Sequence, residues 1–193
     1  MTVLIARATE HLAPDARIDW VGTSMGGLIG IALAAQRNHP IHRLVLNDVG
    51  PVVPKAALGR LALYVGKAPR FDSLAEAERY VRVVSASFGP LTDAQWRHLT
   101  EHNVRRESDG RWAMRYDPGI ASAFSASPLE DLSLWALWDR IDCPVLTVRG
   151  AESDVLLRAT AEEMTRRGPR TQLLELPGIG HAPALMDPAQ VDA

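Results

Sequence analysis

Gly22-Thr23-Ser24-Met25-Gly26 follows the pattern G-x-S-x-G, and its setting constrains the fold more than the pattern does. Before it lies a short apolar extended run, residues 18–21; after it comes a strongly helical one, residues 27–35. A serine on a sharp strand-to-helix turn is held in a strained backbone conformation, with glycines flanking it because side chains there would clash. Such a turn lifts the hydroxyl out of the sheet and sets it beside the positive end of the following helix. A free serine hydroxyl is a poor nucleophile at neutral pH and needs that help.

It also needs a base, and the base needs an orienting carboxylate. Residues 144–150 read as a buried strand, with Ala151-Glu152-Ser153-Asp154 in the loop after it. A helix is expected from about residue 155 to 167, ended by Gly168, and then a strand over 172–176. The next loop holds Gly178-Ile179-Gly180-His181-Ala182-Pro183. Ser24, Asp154 and His181 therefore come in the order Ser…Asp…His, with Asp and His each just beyond the C-terminal end of a strand. Loops at that end of a parallel sheet are where ligands gather. Asp48 follows another strand-like run, residues 42–48, and is an alternative acid; Asp154 is favoured.

These runs, together with Val21 and Gly27-Leu28 around the turn, resemble the α/β-hydrolase superfamily, most of all its small bacterial members with a helical cap. The resemblance spans nearly the whole chain. It implies Ser24 as nucleophile, His181 as general base and acid, and Asp154 as the carboxylate that orients the imidazole. The backbone N–H of Met25 is implied as one oxyanion-hole donor. Neither a cofactor nor a metal is implied.

The chain also departs from the family. Members have about four strands before the nucleophile turn, and the loop after the third carries a His-Gly motif with the second oxyanion donor. Here one helical segment, residues 2–12, and a short loop precede the strand at Ile18, and no His-Gly dipeptide occurs. The expected fold is α/β: a partial α/β-hydrolase fold whose parallel sheet lacks its N-terminal strands. With the third strand absent, the strand at Ile18 becomes an edge, open to self-association. Residues 188–191 look like the first turn of a last helix.

Residues 1–50 and 141–193 are assigned to the core, and residues 51–140 to a mostly helical cap. Within the cap, Ser73-Leu74-Ala75-Glu76 and Thr92-Asp93-Ala94-Gln95 are capping boxes, and Leu91 and Trp96 are spaced for a hydrophobic staple. Asp109-Gly110 marks a tight turn before an extended piece at 112–116, and a last segment, 129–141, carries Trp135 and Trp138. His98-Leu99-Thr100-Glu101-His102 matches the inverted zinc-protease motif, yet at 100° per residue both histidines point away from the apolar face. A solvated helix face is the preferred reading, since no third ligand is evident. His11, His39 and His42 are taken as structural or exposed.

With 193 residues and 47% hydrophobic content, the chain can bury a real core. A net charge of −2 gives no electrostatic case for nucleic acid or an anionic membrane. The lone Cys143 reads as a core thiol of a reducing cytoplasm, and no run approaches the ~20 apolar residues of a membrane helix. Two function classes follow. One is a serine hydrolase acting on a small carboxylic ester, thioester, lactone or activated C–C bond through an acyl-enzyme. The other is a catalytically silent fragment serving for binding or assembly, since losing one oxyanion donor costs about 2.7–4 kcal/mol of transition-state stabilisation.

Overall fold

The computed structural model describes residues 16–122 and 130–192. The helix expected over residues 2–12, His11 and the start of the 129–141 segment lie outside the described residues. The core is a parallel sheet of four strands: β1 (Ile18–Thr23), β2 (Ile41–Asn47), then β8 (Val145–Gly150) and β9 (Gln172–Leu176). Their spatial order is β1-β2-β8-β9. Helix α1 (Met25–Ala34) joins β1 to β2.

Alternation along β1 sorts its side chains between two faces. Ile18, Trp20 and Gly22 turn toward the α1 side, and Asp19, Val21 and Thr23 are exposed. Trp20 donates its indole N–H to the Gly26 carbonyl at 3.0 Å, which ties the strand to the first turn of α1. Helix α1 is apolar all round, and Ile31, Leu33 and Ala34 are buried against Leu44 and Leu46 of β2. The same cluster takes in Val49, Trp138, Leu156 and Met164 and runs down to Ile41, Cys143 and Val145 at the starts of β2 and β8, while Val148, Leu176 and Ile179 form a smaller separate cluster. Burial of this kind is worth roughly 1.5–3 kcal/mol for each large side chain.

Among the described residues β1 pairs on one side only, with β2. Val21, on its uncovered face, is 63% exposed. The expectation of an edge at Ile18 agrees with this arrangement.

Between β2 and β8 runs the segment assigned to the cap. It leaves through β3 (Val52–Val53) and returns through β7 (Leu132–Ser133), which pair antiparallel and close the neck. Helix α2 (Lys55–Ala62) follows β3, and α3 (Leu74–Val84) and α4 (Asp93–Asn103) form the body. Both expected helix starts are present. Ser73 accepts from the Glu76 N–H, and Thr92 and Gln95 form the reciprocal box. The Glu76 carboxylate reaches one residue further back, to the Asp72 N–H. Trp96 is buried, with the Arg82 guanidinium 5.6 Å from the centre of its ring.

The cap segment also contains a three-stranded antiparallel sheet, β4 (Arg70–Phe71), β6 (Trp112–Met114) and β5 (Val104–Arg106), and β6 covers the first three residues of the extended piece expected at 112–116. The Asp109-Gly110 turn joins β5 to β6, with Gly110 at φ 86°. Short helix α5 (Trp135–Trp138) leads back to the core.

The helix after β8 differs from expectation. Helix α6 spans Arg158–Met164 rather than 155–167. It starts late because the Ser153 hydroxyl takes the Val155 and Leu156 N–H groups at 3.2 and 3.1 Å, holding that stretch in a side-chain-capped turn. Gly168 has φ 59° but lies four residues past the helix. Helix α7 spans Pro188–Val191, and among the described residues no helix is long and apolar enough to cross a membrane.

Candidate active site

Ser24 sits between β1 and α1 at φ 51°, ψ −120°, a conformation that non-glycine residues rarely hold. The neighbouring backbone over-determines it. The Ser24 N–H donates to the Asn47 carbonyl at 3.1 Å, and its own carbonyl accepts from Gly27 and Leu28. A Cβ on Gly22 would lie 2.5 Å from the Gly26 carbonyl and the Gly27 nitrogen, so the turn closes only with glycine there. Met25 opens α1, where the helical ladder supplies no acceptor for its N–H among the described residues.

The Ser24 hydroxyl lies 2.9 Å from His181 Nε2. On the other side of the ring, Nδ1 lies 2.7 Å from Asp48 Oδ2. A carboxylate accepts only, so Nδ1 carries the proton and donates to it. Nε2 is then left with its lone pair toward Ser24, and the hydroxyl donates to it. The arrangement can therefore withdraw the serine proton.

The acid expected at Asp154 is not at the ring. Asp48 takes that place, and the physical reason is the strand order. β2 lies directly beside β1, so the residue just past its end arrives next to Ser24 and completely buried. Asp48 has three donors: the Gly150 N–H at 2.8 Å on Oδ1, and on Oδ2 the Ser153 hydroxyl at 2.6 Å and the His181 ring. Because Ser153 already accepts from two N–H groups, its own proton must point to Asp48. A buried carboxylate survives as an anion only with partners of this number.

Asp154 instead turns outward to helix α2 of the cap. Arg60 donates to it twice, at 2.6 and 2.8 Å. Partial burial alone would raise the Asp154 carboxyl, but the hydrogen bonds and charge of Arg60 outweigh it and hold the group below the ordinary carboxylate range. Whatever stability the pair adds is present above about pH 4 and fades as pH falls through the lowered native value. With side chains 35% and 48% exposed, that contribution is under ~1 kcal/mol.

His181 reaches Asp48 from β9 by crossing the end of β8. Gly150 makes the crossing possible: the Ile179 carbonyl lies 2.5 Å from where a Cβ of residue 150 would stand. On the far side, Asn47 Nδ2 donates to the Pro183 carbonyl at 2.9 Å and to Thr23 Oγ1 at 3.0 Å, linking the histidine loop to the nucleophile turn. Asn47 and Ser153 went unnoticed in the sequence; their adjacency to Asp48 and Asp154 was the available signal.

The other histidines stand apart from this chemistry. His39 Nε2 contacts Asp142 at 2.9 Å and His42 Nδ1 contacts Asp19 at 3.3 Å. A cleft of about 670 Å³ beside them lies at the N-terminal ends of β1, β2 and β8, opposite Ser24. His98 and His102 are both exposed, their rings 4.2 Å apart. Among the described residues no group of three or more His, Cys, Asp or Glu is placed to hold a metal ion. Cys143 is buried, and burial pushes its thiol up.

The strained serine thus lies on a strand-to-helix turn, with a histidine and a carboxylate brought to it from beyond the ends of later strands. The alpha/beta hydrolase family model matches residues 3–193, and the chain belongs to that family. It is 42% identical over 199 residues to the 3-hydroxybutyrate-oligomer hydrolase of Cupriavidus necator, covering 99% of this chain and 66% of that protein. An esterase of Mycobacterium tuberculosis is 31% identical over 170 residues, 84% of this chain and 53% of the esterase. The solved alpha/beta hydrolase of Novosphingobium aromaticivorans superposes with a TM-score of 0.83 at 36% identity, over 99% of this chain and 67% of that one. The chain thus spans between about half and two thirds of the length of the curated relatives it matches.

Proposed function

We propose that the protein is a serine-type carboxylic ester hydrolase whose triad is Ser24, His181 and Asp48. One observation carries the reading: the unbroken hydrogen-bond chain from the Ser24 hydroxyl through both ring nitrogens of His181 to a buried, three-donor Asp48. His181 Nε2 takes the hydroxyl proton as Ser24 Oγ bonds to the ester carbonyl carbon. The Met25 N–H stabilises the resulting oxyanion. The imidazolium, held by Asp48, returns its proton to the leaving alcohol as the C–O bond breaks and the acyl-enzyme forms. Water repeats the sequence and releases the acid.

The name of the Cupriavidus necator relative makes short oligomers of 3-hydroxybutyrate, which are linear carboxylic esters, the first substrates to try. Purified chain should hydrolyse these and short p-nitrophenyl esters without a metal or other cofactor. Activity that survives a chelator supports the reading. Activity that a chelator abolishes while Ser24→Ala retains it would instead favour metal chemistry at His98 and His102.

The division into a core and a 51–140 cap, a cytoplasmic location and the absence of nucleic-acid or membrane partners belong to the same reading. So does self-association through β1. A strand that pairs on one side only among the described residues, with an exposed valine, is a template for pairing with a second copy. Light scattering on the purified chain should show association that falls when Val21→Lys puts a charge on that edge. A monodisperse monomer at the same concentration would contradict it.

A further inference from the structure

We infer that Ser87 is a positioning residue, through which the cap sets the placement of the general base. The inference rests on the reading of His181 given above.

Among the described residues, five backbone hydrogen bonds join the loop bearing His181 to the residues at Asn47 and Glu152 and to the cap, besides the bond from the Leu185 N–H to Gln190 Oε1 at 3.0 Å. The core supplies two: the Glu152 N–H donates to the Ile179 carbonyl at 2.9 Å, and Asn47 Nδ2 donates to the Pro183 carbonyl at 2.9 Å. The cap supplies the other three. Gln95 Nε2 donates to the Met186 carbonyl at 2.9 Å. Ser87, in a short 3-10 turn after α3, makes the remaining two by itself. Its carbonyl accepts from the Gly180 N–H at 2.7 Å, and its hydroxyl donates to the His181 carbonyl.

These two bonds bracket the Gly180-His181 unit, one at its N–H end and one at its carbonyl end. Approach is close. A Cβ on Gly180 would lie 3.0 Å from the Ser87 Cβ, and one on Gly89 would lie 2.9 Å from the Ile179 side chain. The imidazole hangs from this bracketed backbone, and its Nε2 must stay within hydrogen-bond reach of Ser24. Cap and base therefore move together: a displacement of the turn after α3 shifts the ring off the line between Ser24 and Asp48. The cap acts as part of the machinery that aligns the base as well as a cover over it.

The full chain with Ser87→Ala tests this. With active sites counted by fluorophosphonate labelling, kcat per labelled site should fall on the order of 10- to 100-fold, the scale a misplacement near 1 Å produces, with KM little changed. Ser87→Thr, which keeps the hydroxyl, should restore most of the rate. The low-field imidazole proton that bridges His181 and Asp48 should be sharp in the wild type and broadened in Ser87→Ala, a signal independent of turnover. If the alanine variant does not fold, Ser87→Cys keeps the volume but donates weakly and serves in its place. Arg60→Ala loosens another cap-to-core contact without touching the histidine loop, and should leave kcat near wild type. A wild-type kcat and proton signal in Ser87→Ala, or an equal loss in Arg60→Ala, would overturn the inference. A wild type that neither labels nor turns over counts against the hydrolase reading, and the proton signal still tests the bracket.

Discussion

Asp48→Asn should lower kcat for ester hydrolysis by about 10⁴, whereas Asp154→Asn should leave it within about threefold. The first magnitude follows from what an amide does beside this ring. An asparagine can present an N–H to Nδ1, which drives the proton to Nε2 and abolishes the lone pair that Ser24 needs; a triad aspartate changed in this way costs about that much. The Gly150 N–H and Ser153 hydroxyl would also lose the anion they now stabilise. Asp154 has no such role, because its oxygens are taken by Arg60. Losing a half-exposed pair changes interaction energies by well under ~1 kcal/mol, and that scale permits only a few-fold in rate. Steady-state kinetics on the two variants side by side check this. The opposite ranking would return the acid to Asp154.

Ser24→Ala should remove the activity almost wholly, by about 10⁶ in kcat, as expected when members of one catalytic unit act together. Stability should change little, because the hydroxyl's described partner is the His181 ring alone, and alanine fits the strained turn no worse than serine. Thermal unfolding near the wild-type midpoint, together with lost turnover, would separate chemistry from folding. Combining Ser24→Ala with Asp48→Asn should add almost nothing to the loss, since the second change acts only through the first.

What could be read from the chain divides along the range of the forces involved. Ser24 and its turn were legible because glycine spacing, strand and helix all lie within one short stretch, residues 18–35. His181 was legible because it follows a strand end in a glycine-bounded loop. Both helix starts at Ser73 and Thr92 were legible for the same reason, since an N-terminal cap is decided by four neighbouring residues, although the reciprocal box forms only at Thr92. The acid was not, because the choice between Asp48 and Asp154 depends on which strand lies beside β1, a long-range fact that chain order does not carry. The late start of α6 follows from it, since Ser153 supports Asp48 and holds the next residues out of the helix. The small cap sheet escaped because β4 has two residues and β5 and β6 three each, too short for a periodicity to declare itself. The Ser87 bracket escaped because a hydroxyl and a carbonyl meeting a loop 93 residues further on leave no local pattern.

The central claim is that Ser24 is a nucleophile activated by His181 and Asp48, and the site of its covalent reaction tests that most directly. Wild-type chain treated with a fluorophosphonate and mapped by peptide mass spectrometry should carry one adduct, on Ser24, and the rate of labelling should collapse in Asp48→Asn but not in Asp154→Asn. Labelling at another serine, or labelling of Ser24 at an undiminished rate in Asp48→Asn, would contradict the account.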